Sequence, residues 1–303
     1  MNEANTKIAA VIVTHNRFAL LQEAIQAVLD QDFPTNNIVV VNNGSTDGST
    51  EWLKQQQGLH CIHQANLGCS AGFSAGIKKA YQLGAEWIWV MDDDSIASPT
   101  ALRQLIDAVH TIGDDRTGFI CSRVEWTDGS PHLMNIPHIN IFDKLGNPFN
   151  KYEKEGALLV NSCSFVSLLV NVKSVAVCGL PYRDFFIWGD DMEFTKRIIQ
   201  AGFLGFYAPG SIVVHKTATN YSADIFNDDD KSIWKYKYGI RNNLFVIRKN
   251  KGRFKFLIVV LKQFFIMPFR ILKKRTTHRK LFIKTIWKAS WNSLFFNPDI
   301  EKI

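Results

Sequence analysis

Residues 87–94 read Trp-Ile-Trp-Val-Met-Asp-Asp-Asp, an apolar run that ends in three consecutive acids. The apolar part predicts a buried strand that delivers the three carboxylates to its carboxyl end, where ligands collect in open α/β sheets. Crowded, unpaired acids repel one another and raise each other's pKa, so a hard divalent cation is the simplest physical reason to gather them. In the alternative, one aspartate caps the helix that begins near Pro99 and the other two are solvated.

Apolar runs and helical patterns alternate along the chain, which predicts an α/β fold with a mainly parallel central sheet flanked by helices. The predicted strands are Ile8–Thr14, Ile38–Val41, Cys61–His63, Glu86–Met91, Phe119–Val124, Leu158–Val172 and Ser211–Val214. The predicted helices are Phe18–Asp30, Ser49–Gln57, Ser70–Leu83, Pro99–Ile112 and Asp190–Ala201. The stretch Asp128–Glu155 has no clear period, so we expect a long loop that orders over substrate.

The net charge of +7 is unevenly distributed. Residues 248–303 carry 15 Lys or Arg against two acids, whereas acids exceed bases in the preceding part. The basic residues are interleaved with Phe, Trp, Leu and Ile, and the apolar runs stay below the ~20 residues that span a membrane. This composition favours a helical tail on an anionic membrane surface and argues against nucleic acid as a partner. The alternative is an amphipathic helical pair that packs on the catalytic domain or on a second subunit of a homo-oligomer.

Length and cysteine content predict the domain organisation and the compartment. A chain of 303 residues can bury one large core plus a small appendage, which we assign to residues 1–247 and 248–303. Five cysteines without C-x-x-C spacing predict reduced thiols, and the polar residues before the first strand do not form a signal peptide. We therefore expect a cytoplasmic protein, peripheral on the inner face of the cell membrane.

Polar residues lie where the first two predicted strands end. Thr14, Asn16 and Arg17 are at the end of the first, and Asn43 and Asp47 follow the second. Their side chains could contact a base and a ribose at that sheet edge. The alternative for the second group is an ordinary tight turn followed by a helix cap.

A glycine-rich stretch, Asn66–Gly76, follows the third predicted strand and spaces its glycines four residues apart. One face of the predicted helix is therefore almost bare backbone, which lets another group approach closely. That group could be a phosphate-bearing ligand at the helix amino terminus, near Asn66, Gly68 and Gly72, or a packed helix or strand. The spacing is not the dinucleotide-binding fingerprint G-x-G-x-x-G.

A second acidic cluster lies in the stretch Trp188-Gly-Asp-Asp-Met-Glu193, where a predicted helix begins. Asp190 or Asp191 could simply interact with the helix dipole. However, aromatic neighbours raise the pKa of a carboxylate toward the range of a general base, and Trp188 can stack on the apolar face of a sugar. His215 ends a further apolar run at the same predicted sheet edge. Imidazole and carboxylate together suit Mn²⁺, so His215 is a candidate metal ligand.

Taken together, these motifs resemble the inverting family-2 glycosyltransferases with the GT-A fold, over about Ile8–Lys249. Thr14–Arg17, Asn43–Asp47, Asn66–Gly76, Asp92–Asp94 and Trp188–Glu193 occur in that family's order and spacing. With His215 and the later Tyr238-Gly-Ile-Arg-Asn242, the pattern looks most like galactofuranosyltransferases and rhamnosyltransferases. The Q-x-x-R-W signature of processive synthases is absent, which favours addition of one or few sugars. Asn43 stands where many relatives have Asp.

The resemblance implies a role for each candidate residue. The implied ligands of Mn²⁺ or Mg²⁺ are Asp92, Asp94 and His215. The implied catalytic residues are Asp191, as the base that deprotonates the acceptor hydroxyl, with Asp190 and Glu193. The implied acceptor-binding residues are Trp188, Asp190, Glu193 and Arg241. The implied donor-binding residues are Thr14, Asn16, Arg17, Asn43, Asp47, Asn66, Gly68, Gly72, Asp92 and Asp93.

The resemblance also implies that the domain has a nucleotide-binding half at about 1–98 and an acceptor-binding half at about 99–247, and it implies a reaction. A metal-dependent, inverting enzyme would move a single sugar from UDP-galactofuranose or dTDP-rhamnose to a lipid-linked or cell-surface glycan. One alternative is a nucleotidyltransferase, although the chain has no Gly-rich, basic triphosphate loop near its amino terminus. Another is a non-catalytic membrane scaffold that binds nucleotide sugars. The transferase hypothesis requires the two acidic clusters to face each other across one cleft.

Overall fold

A computed structural model describes residues 6–139 and 141–303 of the chain. Within these residues the strands are β1 (Ile8–Thr14), β2 (Asn37–Asn43), β3 (Leu59–Gln64), β4 (Trp87–Asp92), β5 (Ser95–Ala97), β6 (Thr117–Glu125), β7 (Leu158–Leu159), β8 (Leu168–Asn171) and β9 (Leu204–His215). The α-helices are α1 (Phe18–Leu29), α2 (Ser49–Leu53), α3 (Cys69–Gln82), α4 (Ala101–Ile112), α5 (Val172–Cys178), α6 (Asp190–Gln200), α7 (Ile233–Lys274) and α8 (Arg279–Phe295).

Strand β4 lies inside the sheet and is buried on both faces. Trp87 and Trp89 belong to the apolar cluster on one face, and Ile88 and Val90 belong to the cluster on the other. A strand covered on both faces needs apolar residues at every position, which explains the continuous apolar run. The fold class predicted from this run is confirmed: one central sheet is flanked by helices, with a helical region at the carboxyl end.

The strand order is β3-β2-β1-β4-β8-β6-β9-β5, with β7 paired to β9. The pairs among β1, β2, β3 and β4 are all parallel, as predicted from the β-α repeats. Beyond β4 the sheet is mixed, because β8 runs antiparallel to both β4 and β6 while β9 is parallel to β6. The parallel half brings the carboxyl ends of β1, β2 and β4 to one edge.

The predicted continuous strand Leu158–Val172 is wrong. The polar residues 161–164 interrupt it, and Asn135 bonds to one of them, Ser164. A 3₁₀ turn over Phe165–Ser167 follows, and only β8 resumes the sheet. The side chain of Asn171 then accepts a hydrogen bond from the backbone of Lys173 and caps α5.

Helices α7 and α8 form an antiparallel hairpin, so the predicted helical character of the tail is confirmed. The indole of Trp287 donates to the carbonyl of Phe264, and Arg248 donates to carbonyls at the end of α8. The backbone of α7 leaves the helical conformation at Gly252, where φ is 79°. The predicted domain boundary after residue 247 falls within this helix and stays a prediction. No described helix combines the length and apolarity needed to cross a bilayer.

The last residues return to the sheet domain. Leu180 donates its backbone N–H to the carbonyl of Glu301, whose carboxylate forms an ion pair with Lys78. Ile303 packs against the apolar cluster that contains α3 and α6. The helical hairpin is therefore attached to the catalytic domain at both of its ends.

Candidate active site

Three predicted metal ligands come together at the sheet edge. Asp92 ends β4, Asp94 follows it, and His215 ends β9. Strand β5 pairs antiparallel with β9 and places Ser95 opposite His215, which brings the histidine beside the acids. One ligand atom from each of Asp92, Asp94 and His215 lies within 4.8 Å of the other two.

The orientation of the histidine ring fits a divalent cation. Asn135 donates its Nδ2–H to Ser164, so its Oδ1 faces His215 and accepts from Nδ1–H at 2.8 Å. The other ring nitrogen, Nε2, faces Asp94 Oδ1 at 3.2 Å. That oxygen is buried and has no hydrogen bond among the described residues. This geometry suits a cation held jointly by Nε2 and Asp94 Oδ1, because metal-binding histidines usually donate their other ring N–H to an oxygen acceptor, as Nδ1 does here to Asn135.

The charges of the three acids are set by burial and by their neighbours. Burial and the charge of Asp94 raise the pKa of Asp92 to about 7. Burial alone would also raise the pKa of Asp94, but His215 and Arg17 outweigh it and lower that pKa to about 2. Burial raises the pKa of Asp93 to about 6, although Arg17 opposes this. Such crowding is relieved when positive charge enters the site.

The middle acid, Asp93, joins β1 to β4. Its Oδ2 accepts from Thr14 Oγ1 at 2.7 Å and from the backbone N–H of His15 at 3.3 Å. Its Oδ1 accepts from Arg17 Nη1 at 3.2 Å, and Arg17 also pairs with Asp94. Asp93 therefore positions Thr14 and Arg17 at this edge of the sheet.

The second acidic cluster opens α6. Gly189 precedes the helix in a left-handed conformation with φ 90°. Asp191 Oδ1 accepts from the backbone N–H of Met192 at 2.6 Å, and burial together with the charge of Asp190 raises the pKa of Asp191 to about 8. Burial raises the pKa of Asp190 to about 6, and its buried Oδ2 has no hydrogen bond within the described part of the chain.

Both acidic clusters border one cavity of about 670 Å³. The charge of Asp92 is close enough to raise the pKa of Asp191. The structure thus satisfies the requirement that the two clusters share a cleft. The predicted site residues that line this cavity are Thr14, Arg17, Asn43, Asn66, Gly68, Asp92, Asp93, Asp94, Trp188, Asp190, Asp191 and His215.

Glu193 does not line the cavity, and its role as a catalytic and acceptor-binding residue stays a prediction. Its carboxylate is buried on the face of α6 that meets α7. There it accepts hydrogen bonds from Arg197 at 2.9–3.1 Å and from Lys249 at 3.3 Å. Arg197 in turn donates to the carbonyls of residues 178–180. Glu193 is therefore part of an ion-pair network that fixes α6 in place.

Arg241 also lies outside the cavity lining, and its role in acceptor binding stays a prediction. Its Nη2 donates to the carbonyls of Asp184 and Phe185, at 2.6 and 3.3 Å. Its guanidinium lies 3.7 Å from the centre of the Phe296 ring. Packing against the carboxyl-terminal segment thus directs this side chain to the backbone before α6.

Three predicted donor-binding residues contact neighbouring parts of the protein and do not line the cavity. Asn16 Oδ1 accepts from the backbone N–H of Thr46, and Asp47 Oδ2 accepts from that of Phe18. Gly72 lies against β1 and β2, where an added Cβ would come within 2.5 Å of Val13 Cγ1. At Gly72, the group that approaches the helix backbone closely is therefore a packed strand. Asn16, Asp47 and Gly72 are absent from the lining of the cavity.

Several lining residues were not among the predicted site residues. They include Asn135, Phe186, Tyr221, Trp234 and Lys235. Asn135 comes from the aperiodic stretch that we expected to order over substrate, but no local pattern distinguishes it there. Trp234 and Lys235 open α7, and their contribution depends on how that helix packs on the catalytic domain.

Comparisons with known proteins bear on this geometry. The family model for Glycosyl transferase family 2 matches residues 9–172. Galactofuranosyltransferase GlfT1 of Mycolicibacterium smegmatis is 28% identical over 204 residues, which cover 64% of this chain and 66% of that protein. GlfT1 of Mycobacterium tuberculosis H37Rv is 27% identical over 214 residues, which cover 64% of this chain and 65% of the relative. The chain thus matches slightly less than two thirds of the length of these relatives.

A solved structure confirms the predicted GT-A fold. GalNAc-T7, crystallised with UDP, GalNAc and Mn²⁺, matches with a TM-score of 0.58 at 16% identity. The match covers 80% of this chain and 48% of GalNAc-T7. At this identity, the likeness establishes the fold alone.

The histidine arrangement leads to a prediction about metal affinity. Replacing Asn135 with Ala removes the acceptor that orients His215, so Mn²⁺ should bind 10- to 100-fold more weakly, the usual effect of losing such a support. His215→Ala should weaken binding at least as much. Calorimetric titration of the chain with MnCl₂ alone measures the effect, with His60→Ala on β3 as the matched control. Equal Mn²⁺ affinity in wild type and all three variants would contradict the assignment.

Proposed function

Because the chain belongs to glycosyl transferase family 2, we propose that it moves a single sugar from a nucleoside diphosphate donor to a glycan acceptor, with inversion at the anomeric carbon. The observation that carries this proposal is the shared cavity, bordered by a potential metal site and by a separate pair of carboxylates. Inversion needs a base on the side of the reacting carbon opposite the leaving diphosphate, so it needs two distinct acidic groups.

On the donor side, the resemblance to galactofuranosyltransferases supports UDP-galactofuranose, and the motif pattern also favours dTDP-rhamnose. Asp92, Asp94 and His215 would hold Mn²⁺ or Mg²⁺, which would neutralise charge on the leaving diphosphate. Arg17 and the amino terminus of α3 border the same cavity and would contact phosphate oxygens. The metal-bearing structural neighbour, GalNAc-T7, adds support for the cation.

On the acceptor side, Asp191 would take the proton from the attacking hydroxyl. One of its oxygens is held by the backbone of α6, which fixes the carboxylate in place. Asp190 borders the cavity beside Asp191 and would help to orient the acceptor. Trp188 and Trp234 line this side, with Lys235 Nζ 5.9 Å from the centre of each ring. Aromatic faces of this kind suit the apolar face of a sugar.

The α7–α8 hairpin supports an anionic membrane surface as the second partner. Helical spacing places an apolar stripe along α7, with Phe254 81%, Leu261 56%, Phe265 74%, Phe269 69% and Leu272 50% exposed. Trp291 and Phe295 on α8 are also exposed. Self-association would bring together two copies of a strongly basic tail, whereas anionic lipid complements its charge. A membrane position would give access to a lipid-linked acceptor.

Transfer can be assayed with a donor panel of UDP-galactofuranose, dTDP-rhamnose, UDP-glucose and UDP-galactose in the presence of Mn²⁺. We expect transfer from one donor, its loss with EDTA, and at least a ~100-fold lower kcat in Asp191→Asn, because general bases contribute that much. The exposed Asp115→Asn variant is the control. Full activity in Asp191→Asn would refute the assignment of the base.

Two further measurements distinguish the other candidate functions. Release of pyrophosphate from a nucleoside triphosphate would favour a nucleotidyltransferase. Calorimetric binding of a donor without turnover on any acceptor would favour a scaffold.

The raised pKa of Asp191 predicts the pH dependence of transfer. Because the base acts in its deprotonated form, kcat should fall as the pH drops through about 8, well above the range of an ordinary carboxyl. Burial is the main cause, and Asp190 adds to it. Asp190→Asn should therefore move this fall to lower pH in the residual activity, whereas Asp115→Asn should not. An unmoved profile in Asp190→Asn would count against Asp191 as the titrating group.

Membrane binding can be tested by substitution, since truncation would also remove the residues that return to the catalytic domain. The triple variant Phe254→Ser, Phe265→Ser, Phe269→Ser should lose co-sedimentation with phosphatidylglycerol vesicles, while wild type binds them better than phosphatidylcholine vesicles. The control carries serine at three exposed apolar positions elsewhere, Ile141, Phe142 and Leu145. Unchanged sedimentation of the first triple variant, with loss of a dimer in gel filtration, would indicate a subunit contact instead.

A further inference from the structure

The segment that leads into α6 and ends at Asp191, the proposed base, has an unusual backbone conformation. We call residues 185–191, from Phe185 to Asp191, the catalytic loop. Phe186 and Trp188 within it have positive φ angles of 67° and 66°. Side chains with a Cβ disfavour this region, so such residues persist only where surrounding contacts enforce them.

One buried side-chain amide makes most of the hydrogen bonds that hold the backbone in this conformation. Asn242 lies on α7 with none of its surface exposed. Its Nδ2 lies 2.9 Å from the carbonyl of Phe185, 3.1 Å from that of Ile187 and 2.9 Å from that of Trp188. The two amide hydrogens are shared among these three acceptors. Its Oδ1 is engaged as well, because it accepts from Arg241.

The remaining carbonyl of this run is bound from the opposite side. The carbonyl of Phe186 accepts from the backbone N–H of Ser70 at 3.3 Å and from the thiol of Cys69 at 3.4 Å, both at the start of α3. Gly68 lies against the same carbonyl, and a Cβ there would be 2.2 Å from the oxygen. The catalytic loop is thus held between α3, which borders the donor side of the cavity, and α7.

The ring of Trp188 also packs against helix α7. A Cβ added at Gly239 would come within 2.7 Å of Trp188 Cε3, so the indole packs directly on the helix backbone. Gly239 and Asn242 are three residues apart and share one face of α7. The same face therefore contacts both the ring and the backbone of Trp188.

We propose that Asn242 is a positioning residue for the catalytic loop, which it holds so that Trp188 and the acids that follow face the acceptor. This proposal rests on the proposed function, since it concerns the acceptor side of the same reaction. Asn242 does not line the cavity and touches no reacting atom. It acts through the backbone carbonyls of residues 185, 187 and 188.

Asn242→Asp tests the proposal because it preserves shape and removes both N–H donors. With the donor that wild type uses, kcat should fall on the order of 100-fold, the effect of misplacing reacting groups by about an ångström. The KM for the donor should stay unchanged, since Asp92, Asp94 and His215 are not affected. Hydrogen exchange should accelerate at the backbone amides of residues 186–190.

Controls separate positioning from loss of stability. Asn243→Asp changes the exposed neighbour of the same residue type and should match wild type in kinetics and exchange. Val260→Ala opens a gap in the buried cluster between α7 and α8 and should lower thermal stability without lowering kcat. If Asn242→Asp does not fold, Gly239→Ala provides the second test. It displaces the Trp188 ring, leaves Asn242 intact, and should lower kcat with an unchanged donor KM.

The proposal is overturned if Asn242→Asp keeps wild-type kcat and exchange, or if its kcat loss equals that of Val260→Ala at matched stability. It is also overturned if Gly239→Ala, used where Asn242→Asp does not fold, keeps wild-type kcat. If the wild-type chain transfers no sugar, the proposed function fails, and the exchange measurement still decides whether Asn242 holds the loop.

Discussion

Mutual repulsion of carboxylates is the constraint on which the rest of this structure depends. Five aspartates border one cavity, and the lining includes Arg17 and Lys235 as the matching cationic side chains. Burial raises the pKa of Asp92, Asp190 and Asp191, which measures how unfavourable their charge is without further compensation. Such a cavity favours a ligand that carries positive charge, such as a divalent cation held by a diphosphate. On the side away from that cation, it leaves Asp191 with a raised affinity for a proton.

The two clusters reach the cavity by different structural routes, and this separates their chemistry. Asp92 and Asp94 follow a strand buried on both faces, and antiparallel pairing of β5 with β9 adds His215 beside them. Asp190 and Asp191 lie at the amino terminus of α6, where the backbone N–H of Met192 fixes one carboxylate oxygen. The first group is arranged around a shared point, as cation ligands must be. The second borders the cavity with a carboxylate whose pKa is raised, as suits a base.

The sequence predicted the features that follow from local patterns. The apolar run before Asp92 and the β-α repeats were sufficient for the fold class and for the acids at the sheet edge. The surroundings of Glu193 and Arg241 could not be predicted, because their partners, Lys249 and the backbone of residues 184–185, come together only through packing of α7. Asn135 was not predicted for the same reason, since only its long-range contact with His215 makes it part of the site.

Helix α7 unites parts of the chain that the sequence suggested were separable. Its first turn lines the cavity, Asn242 holds the catalytic loop, and Lys249 bonds to the network around Glu193. Arg248 then contacts carbonyls at the end of α8, and the residues that follow α8 pack back on the catalytic domain. The exposed stripe of α7 lies beyond the break at Gly252, and α8 connects it to the first part of the helix, because Trp287 bonds to Phe264 and Arg248 bonds to the end of α8. Attachment of the hairpin to a surface would fix the orientation of the cavity relative to that surface, because the helix and the catalytic loop share buried contacts rather than a linker.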